Sequence, residues 1–263
     1  HADVGKYSTD TLSTQSTGIA VSGQYNKVIY SYSFGDRHGV SVGGGFAGYG
    51  VDRFNIFENN TISSRTNYSA DYHGCAEFNT LKDNNIMNGI TLAGSNNKII
   101  GNNIYKGSAT QLINAESLVS LNHIIEDNIF HVNTVGYVVT ATGAGCLNSG
   151  TNIAGTLRFI NNEIIDTLAV DQTYLYFINQ GSTPNHSFDI RGNILRKTNT
   201  SYQGWLLGIS VVSGSNFANL ILEGNHYLGA NTSIGTYSGI NKVGFPNVAY
   251  TITSATAMAI PVD

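Results

Sequence analysis

The chain has 263 residues, a length that suits one large all-β domain, with a formal charge of −4 and only 11% charged residues. No basic run gives it the electrostatic footprint of a nucleic-acid binder, and no stretch of about eighteen apolar residues gives it a membrane span. Thirty glycines and 31 asparagines stand against 3 prolines, with β-branched residues, 15 tyrosines and 11 phenylalanines. That composition points to short strands joined by tight turns, where Gly and Asn tolerate positive φ.

The opening stretch HADVGKYSTD has neither the basic region nor the apolar core of a secretion signal, and its start at His reads as a fragment or processed chain. Two sequence elements then alternate along the chain. The first is a Gly followed by apolar alternation, at 18–23, 38–44, 73–78, 88–94, 135–141 and 207–214. The second is an apolar strand running into Asn-x-apolar, at 54–62, 78–86, 98–104, 123–129, 157–164, 188–194 and 220–227. The cleanest unit is NGITLAGSNNKIIGNNIYKG (88–107): strand, turn, strand, Asn turn, short strand.

Three short strands per roughly 20–25 residues describe one coil of a parallel β-helix. A single coil cannot bury its inward face, whereas stacked coils can, and the Asn side chains then bond along the axis. The pattern predicts a single-stranded parallel β-helix of seven to eight coils over residues 1–246, right-handed by the general preference of crossovers. Longer spacings mark loops at 140–155 and 179–186. Residues 247–263 lose the pattern and read as a cap or the start of a further module.

Two copies of His-Gly, in FGDRHGVSV (34–42) and SADYHGCAEF (69–78), each follow a carboxylate and precede an apolar alternation. Equal coil positions would stack His38 on His73 about 5 Å apart. Asp36, Arg37 and Asp71 would then gather on one turn, with Glu77 one strand away. A carboxylate beside an imidazole holds its tautomer for acid–base work, and an arginine stabilises an anion. Phe46 and Tyr49 in the glycine-rich stretch 43–54 offer a sugar-stacking platform. Arg65, Tyr68 and Tyr72 would flank the same groove.

Asp52 with Glu58, or Glu116 with Glu126, form alternative acid pairs. Tyr174 and Tyr176 alternate with Leu175 and Phe177, so one pair faces outward, and Trp205 reads as a packed ring. The remaining histidines occupy unlike positions, and Cys75 and Cys146 lack ligand spacing and read as buried thiols. No metal and no cofactor is expected.

The Asn-x-Ile coils, together with RHG (37–39) and DYHG (71–74), resemble the pectate-lyase-type β-helices of bacteriophage tail-spike and appendage proteins. That resemblance implies Arg37, His38, Asp71 and His73 as catalytic residues, a bacterial surface polysaccharide as substrate (capsule, lipopolysaccharide or teichoic acid), a homotrimer and a place on the virion. Hydrolysis is the expected reaction, with Asp71 orienting His73; a lyase or a non-catalytic receptor-binding module are the alternatives. The clustered acidic calcium ligands of pectate lyases have no counterpart here, which argues against calcium-dependent elimination.

Overall fold

A computed structural model of the chain describes residues 17–43, 52–66, 68–72, 76–105, 107, 111–115, 122–141, 155–179, 187–199, 201–202, 204–211, 219–228 and 232–233. Every strand pairing among them is parallel and joins strands three apart in chain order, so the backbone winds. Three sheets of nine, eight and eight strands run along the axis, giving eight complete coils and the first strand of a ninth. The parallel β-helix expected from the repeats is the fold observed. No helix among the described residues is long and apolar enough to cross a membrane.

The first sheet contains Thr17–Val21, His38–Val42, Ala70–Tyr72, Ile90–Leu92, Gln111–Ala115, Tyr137–Ala141, Gln172–Asn179, Gly204–Val211 and Thr232–Ser233. The second begins with Lys27–Ile29 and Ile56–Glu58, the third with Tyr32–Gly35 and Thr61–Ser64. Alternation sends one face of each strand into a shared core. In the second sheet Phe57, Leu81, Ile99, Ile125, Phe159 and Ile190 stack in register and are all buried. In the third, Ile62, Ile86, Ile104, Phe130, Ile164 and Leu195 form the matching column. Of these, Ile62, Ile86, Ile104 and Ile164 are the closing apolar positions of the Asn-x-apolar motif, whereas at 129 and 194 the motif's closing Ile is only half-buried and the next residue, Phe130 or Leu195, takes the inward place.

The motif's asparagines close the turns. Between the second and third sheets, Asn60, Asn84, Asn102, Asn128, Asn162, Asn193 and Asn225 form a ladder. Each donates from Nδ2 and from its backbone N–H to the Oδ1 of the next, at 2.8–3.1 Å. The Nδ2 groups also reach backbone carbonyls, as Asn102 does to Leu81. Buried turn amides that no strand pairs are thus satisfied by side chains. A second ladder, between the first and second sheets, runs Asn26, Asn55, Asn79, Asn97 and ends on the buried ring of His123.

The residue before each ladder position is left-handed. From the second coil onward the turn between the second and third sheets uses Asn59, Asp83, Gly101, Asp127, Asn161, Gly192 and Gly224, with φ of 54–68°. Only short polar side chains or none adopt that backbone cheaply, which accounts for the recurrence of Asn, Asp and Gly. The first three coils depart from this rule. Tyr30, Tyr25, Phe54 and Phe78 hold φ of 50–62° with bulky side chains. The last three stack as one column, ring centroids 5.1 and 5.3 Å apart, on the outside of the molecule.

Candidate functional site

Val40 pairs with Ala70 and Ser41 with Asp71, so His38 is level with Tyr68 in the next coil and with Asn88 in the one after. His38 therefore reaches Asp71 on a diagonal, Nε2 to Oδ2 at 3.0 Å, with side chains only 4% and 7% exposed. The approach is that of an ion pair rather than an aligned hydrogen bond. The other ring nitrogen, Nδ1, lies 2.9 Å from the Tyr68 carbonyl oxygen. A carbonyl only accepts, so Nδ1 carries a hydrogen. Nε2 then faces a second acceptor, and a lone pair there would oppose a negative charge. The pair lies against the outer side of the first sheet, Asp71 pairing with Ser41 between the inward Ala70 and Tyr72.

Around it, Arg65 Nη1 lies 3.7 Å from Asp36 Oδ1, and the Asp36 carbonyl accepts from Thr66 Oγ1 at 2.7 Å. Asp36 and Arg65 thus meet across two coils, with Arg65 largely in solvent, where such a pair adds little stability. Arg37 is half-buried on the turn that leads into the His38 strand. Tyr68 contributes its carbonyl to the histidine.

Among the described residues, His38 is level with Tyr68 and its charged partner is Asp71. His73, Phe46 and Tyr49 lie outside the described residues, as do Cys75, Cys146 and 247–263. Tyr72 does not flank a groove. It is fully buried, packs edge-on to Phe57 with ring centroids 6.5 Å apart, and burial pushes its hydroxyl well above the usual phenol range. Its aromatic body belongs to the core column of the first sheet. Glu77 is also displaced. It sits beyond the far end of the Ala70–Tyr72 strand, where it pairs with Arg53 at 3.0 Å and accepts from Ser95 Oγ at 3.1 Å. Of the alternative acids, Glu58 is held between Lys27 and Lys82 at 2.9 and 3.0 Å, and these cations keep its carboxyl below the ordinary range.

Three features escaped the sequence. Tyr137 and Tyr176 stack at 4.9 Å in the same diagonal relation as His38 and Asp71, further along the same sheet. Between them the register line Asp71, Thr91, Asn114, Thr140, Tyr176 presents one polar side chain per coil. Tyr174 goes inward instead. Its hydroxyl donates to Asp166 Oδ2 at 2.5 Å, and the same oxygen takes Lys197 Nζ at 2.7 Å, the ion pair being 1% and 0% exposed. Lys197 also donates to the Val170 and Leu168 carbonyls, and Leu168 N–H to Asp166 Oδ1. This cluster is a fully bonded lock on the turn at 167–171. Alternation at TYLYF separates the outward Tyr176 from Leu175 and Phe177, but nothing in it shows a charged pair inside. No group of three or more metal-ligating side chains occurs among the described residues.

The architecture defines a parallel β-helix with three-stranded coils. Among solved structures, the chain is similar to the tailspike protein gp49 from Pseudomonas phage LKA1, with a TM-score of 0.60 at 18% identity. The match covers 85% of this chain and 41% of that one, so the chain spans less than half the length of that tailspike. At this identity the likeness is one of fold. No family model and no curated protein matches the sequence.

Proposed function

We propose that this chain is the glycan-processing β-helix of a phage tail spike or appendage, acting on a bacterial surface polysaccharide by hydrolysis. The observation that carries the reading is the enclosed His38–Asp71 contact on the outer side of the first sheet, Nε2 to Oδ2 at 3.0 Å, with Nδ1 on the Tyr68 carbonyl. Such a pair can give and take a proton during cleavage of a glycosidic or phosphodiester linkage. Arg37, on the turn beside it, is assigned to an anionic group of the polymer, and Asp36 with Arg65 to the groove wall. His73 keeps its assignment as a second acid–base group only through its nearness in sequence to Asp71. Phe46 and Tyr49 are assigned to sugar stacking. The fold shared with a tailspike supports a virion location, a homotrimer and action at the cell surface.

A second reading, a receptor-binding module without turnover, is favoured by one observation: the pair is almost completely enclosed. One experiment separates the two. The purified chain and its His38→Ala variant are incubated with a panel of bacterial surface polysaccharides, and released oligosaccharides are weighed by mass spectrometry. Hydrated ends from wild type and none from the variant support hydrolysis; ends lighter by one water indicate a lyase. Binding without product from either protein supports the receptor module.

A further inference from the structure

Asn88 holds the most unusual backbone of any non-glycine residue among those described. Its φ of 144° lies outside the left-handed basin that the other positive-φ side chains occupy at 50–62°, and Gly89 follows at 84°. The two are level with His38 and Gly39 two coils away, with Tyr68 and Ser69 between. Backbone of this kind persists only where its surroundings over-determine it, and it gathers at sites that need a group aimed.

The surroundings of Asn88 are specific. Its Nδ2 donates to the Ser64 carbonyl, at the end of the strand that leads toward Tyr68, and the residue is buried. Its Oδ1 lies where a side chain at position 107 would begin, 1.3 Å from an ideal Cβ, so Gly107 leaves the room it needs. Gly89 in turn offers its carbonyl to the coil before it, accepting Ser69 N–H at 3.0 Å and Ala70 N–H at 3.3 Å. Ser69 Oγ is also within 3.2 Å of Ser64 Oγ, which ties the two ends of that turn together.

Ser69 N–H and the Tyr68 carbonyl belong to one peptide unit. A trans peptide is planar, with those two groups on opposite edges. The bond that holds the N–H toward Gly89 therefore turns the carbonyl toward the preceding coil, where His38 Nδ1 lies 2.9 Å away. We infer that Asn88 and Gly89 are positioning residues for His38: through the peptide between Tyr68 and Ser69 they keep the hydrogen on Nδ1 and leave Nε2 to face Asp71. The effect on the ring stands by itself; its bearing on turnover rests on the glycan-processing reading above.

The test reads the His38 ring by nitrogen NMR of the full chain labelled at its histidines, above the pH at which the ring titrates, with His38→Gln identifying its signals. Wild type is expected to carry the hydrogen on Nδ1. Asn88→Gly leaves the backbone free to hold its φ and removes the amide. Gly107→Ala displaces the same amide and leaves Asn88 in the chain. Each variant is expected to shift the ratio of Nδ1–H to Nε2–H forms by about tenfold, the worth of one hydrogen bond. Asn225→Ala, at the far end of the Asn ladder, is expected to lower stability and leave the ratio unchanged. A wild-type ring with its hydrogen on Nε2 overturns the inference. So does an unchanged ratio in the folded variants, or an equal shift in Asn225→Ala. Should neither variant fold, hydrogen exchange in wild type decides: a protected Ser69 amide supports the hold by Gly89, and a freely exchanging one overturns it. No polysaccharide enters these measurements. A shifted ratio in a chain that releases no product overturns the glycan reading alone, and cleavage with an unshifted ratio overturns this inference alone.

Discussion

His38 reaches Asp71 across two coils because the first-sheet strands pair with Val40 opposite Ala70, which sets the carboxylate three residues beyond the histidine's own level. The diagonal brings Nε2 within 3.0 Å while the Tyr68 carbonyl fixes the other nitrogen. Conversion of Asp71 to Asn keeps the shape and removes the charge. If the pair carries the acid–base step, turnover of the cleaved polysaccharide falls about 10²- to 10⁴-fold, with affinity changed by less than about tenfold. Steady-state kinetics on the folded variant decides this, and wild-type turnover removes the pair from the mechanism.

The Asn ladder predicts a stability cost away from any site. Asn102 donates to Leu81, Ile100 and Asn128 and accepts from Asn84 by both side chain and backbone. Truncation in Asn102→Ala leaves several buried groups unsatisfied and should cost on the order of 3 kcal/mol or more. Denaturant unfolding measures it. A loss below about 1 kcal/mol would mean that water replaces the side chain.

Lys197 and Asp166 form a second, independent test. Lys197→Met strands a buried carboxylate that still holds Tyr174 and Leu168, and a cost of about 3–5 kcal/mol is expected. The double variant Lys197→Met/Asp166→Leu should be more stable than the sum of the two single losses, because the stranded charge is gone. Additive single losses would show that the two groups do not interact.

His123 predicts how stability responds to acid. Burial lowers its pKa from 6.5 to about 4, and its Nδ1 accepts the Asn97 N–H, so the folded chain holds the ring neutral. The unfolded chain binds the proton first. This contribution is therefore complete above pH 6.5, declines as pH falls toward about 4 and levels off below that. The total is on the order of 3 kcal/mol. His123→Asn, which restores the ladder residue, should flatten the dependence of unfolding free energy between pH 6.5 and 4 relative to wild type. An unchanged slope would assign the acid sensitivity to other groups.

Local chemistry made much of this molecule legible before any coordinates. An Asn after a left-handed turn residue, followed by an inward Ile, is a requirement that each coil meets by itself, so it repeats in the chain at Asn84–Ile86, Asn102–Ile104 and Asn162–Ile164. Coil number, sheet count and the satisfaction of the turns follow from that repetition. Register on the first sheet does not, because it depends on where each strand begins after loops of unequal length. A shared His-Gly suggested that His38 and His73 were level, whereas the pairing of Val40 with Ala70 sets His38 against Tyr68.

The same cause moved Tyr72 into the core and Glu77 to a different corner, since a residue's face on a strand follows from its register rather than its neighbours in sequence. The buried Lys197–Asp166 pair joins residues a full coil apart, and only their stacking in one interior column brings opposite charges together. The coil is readable along the chain because every element of it is a local backbone and hydrogen-bonding requirement. Which side chains meet across coils is set by the folded stack, because such contact depends on the accumulated offset of every loop between them.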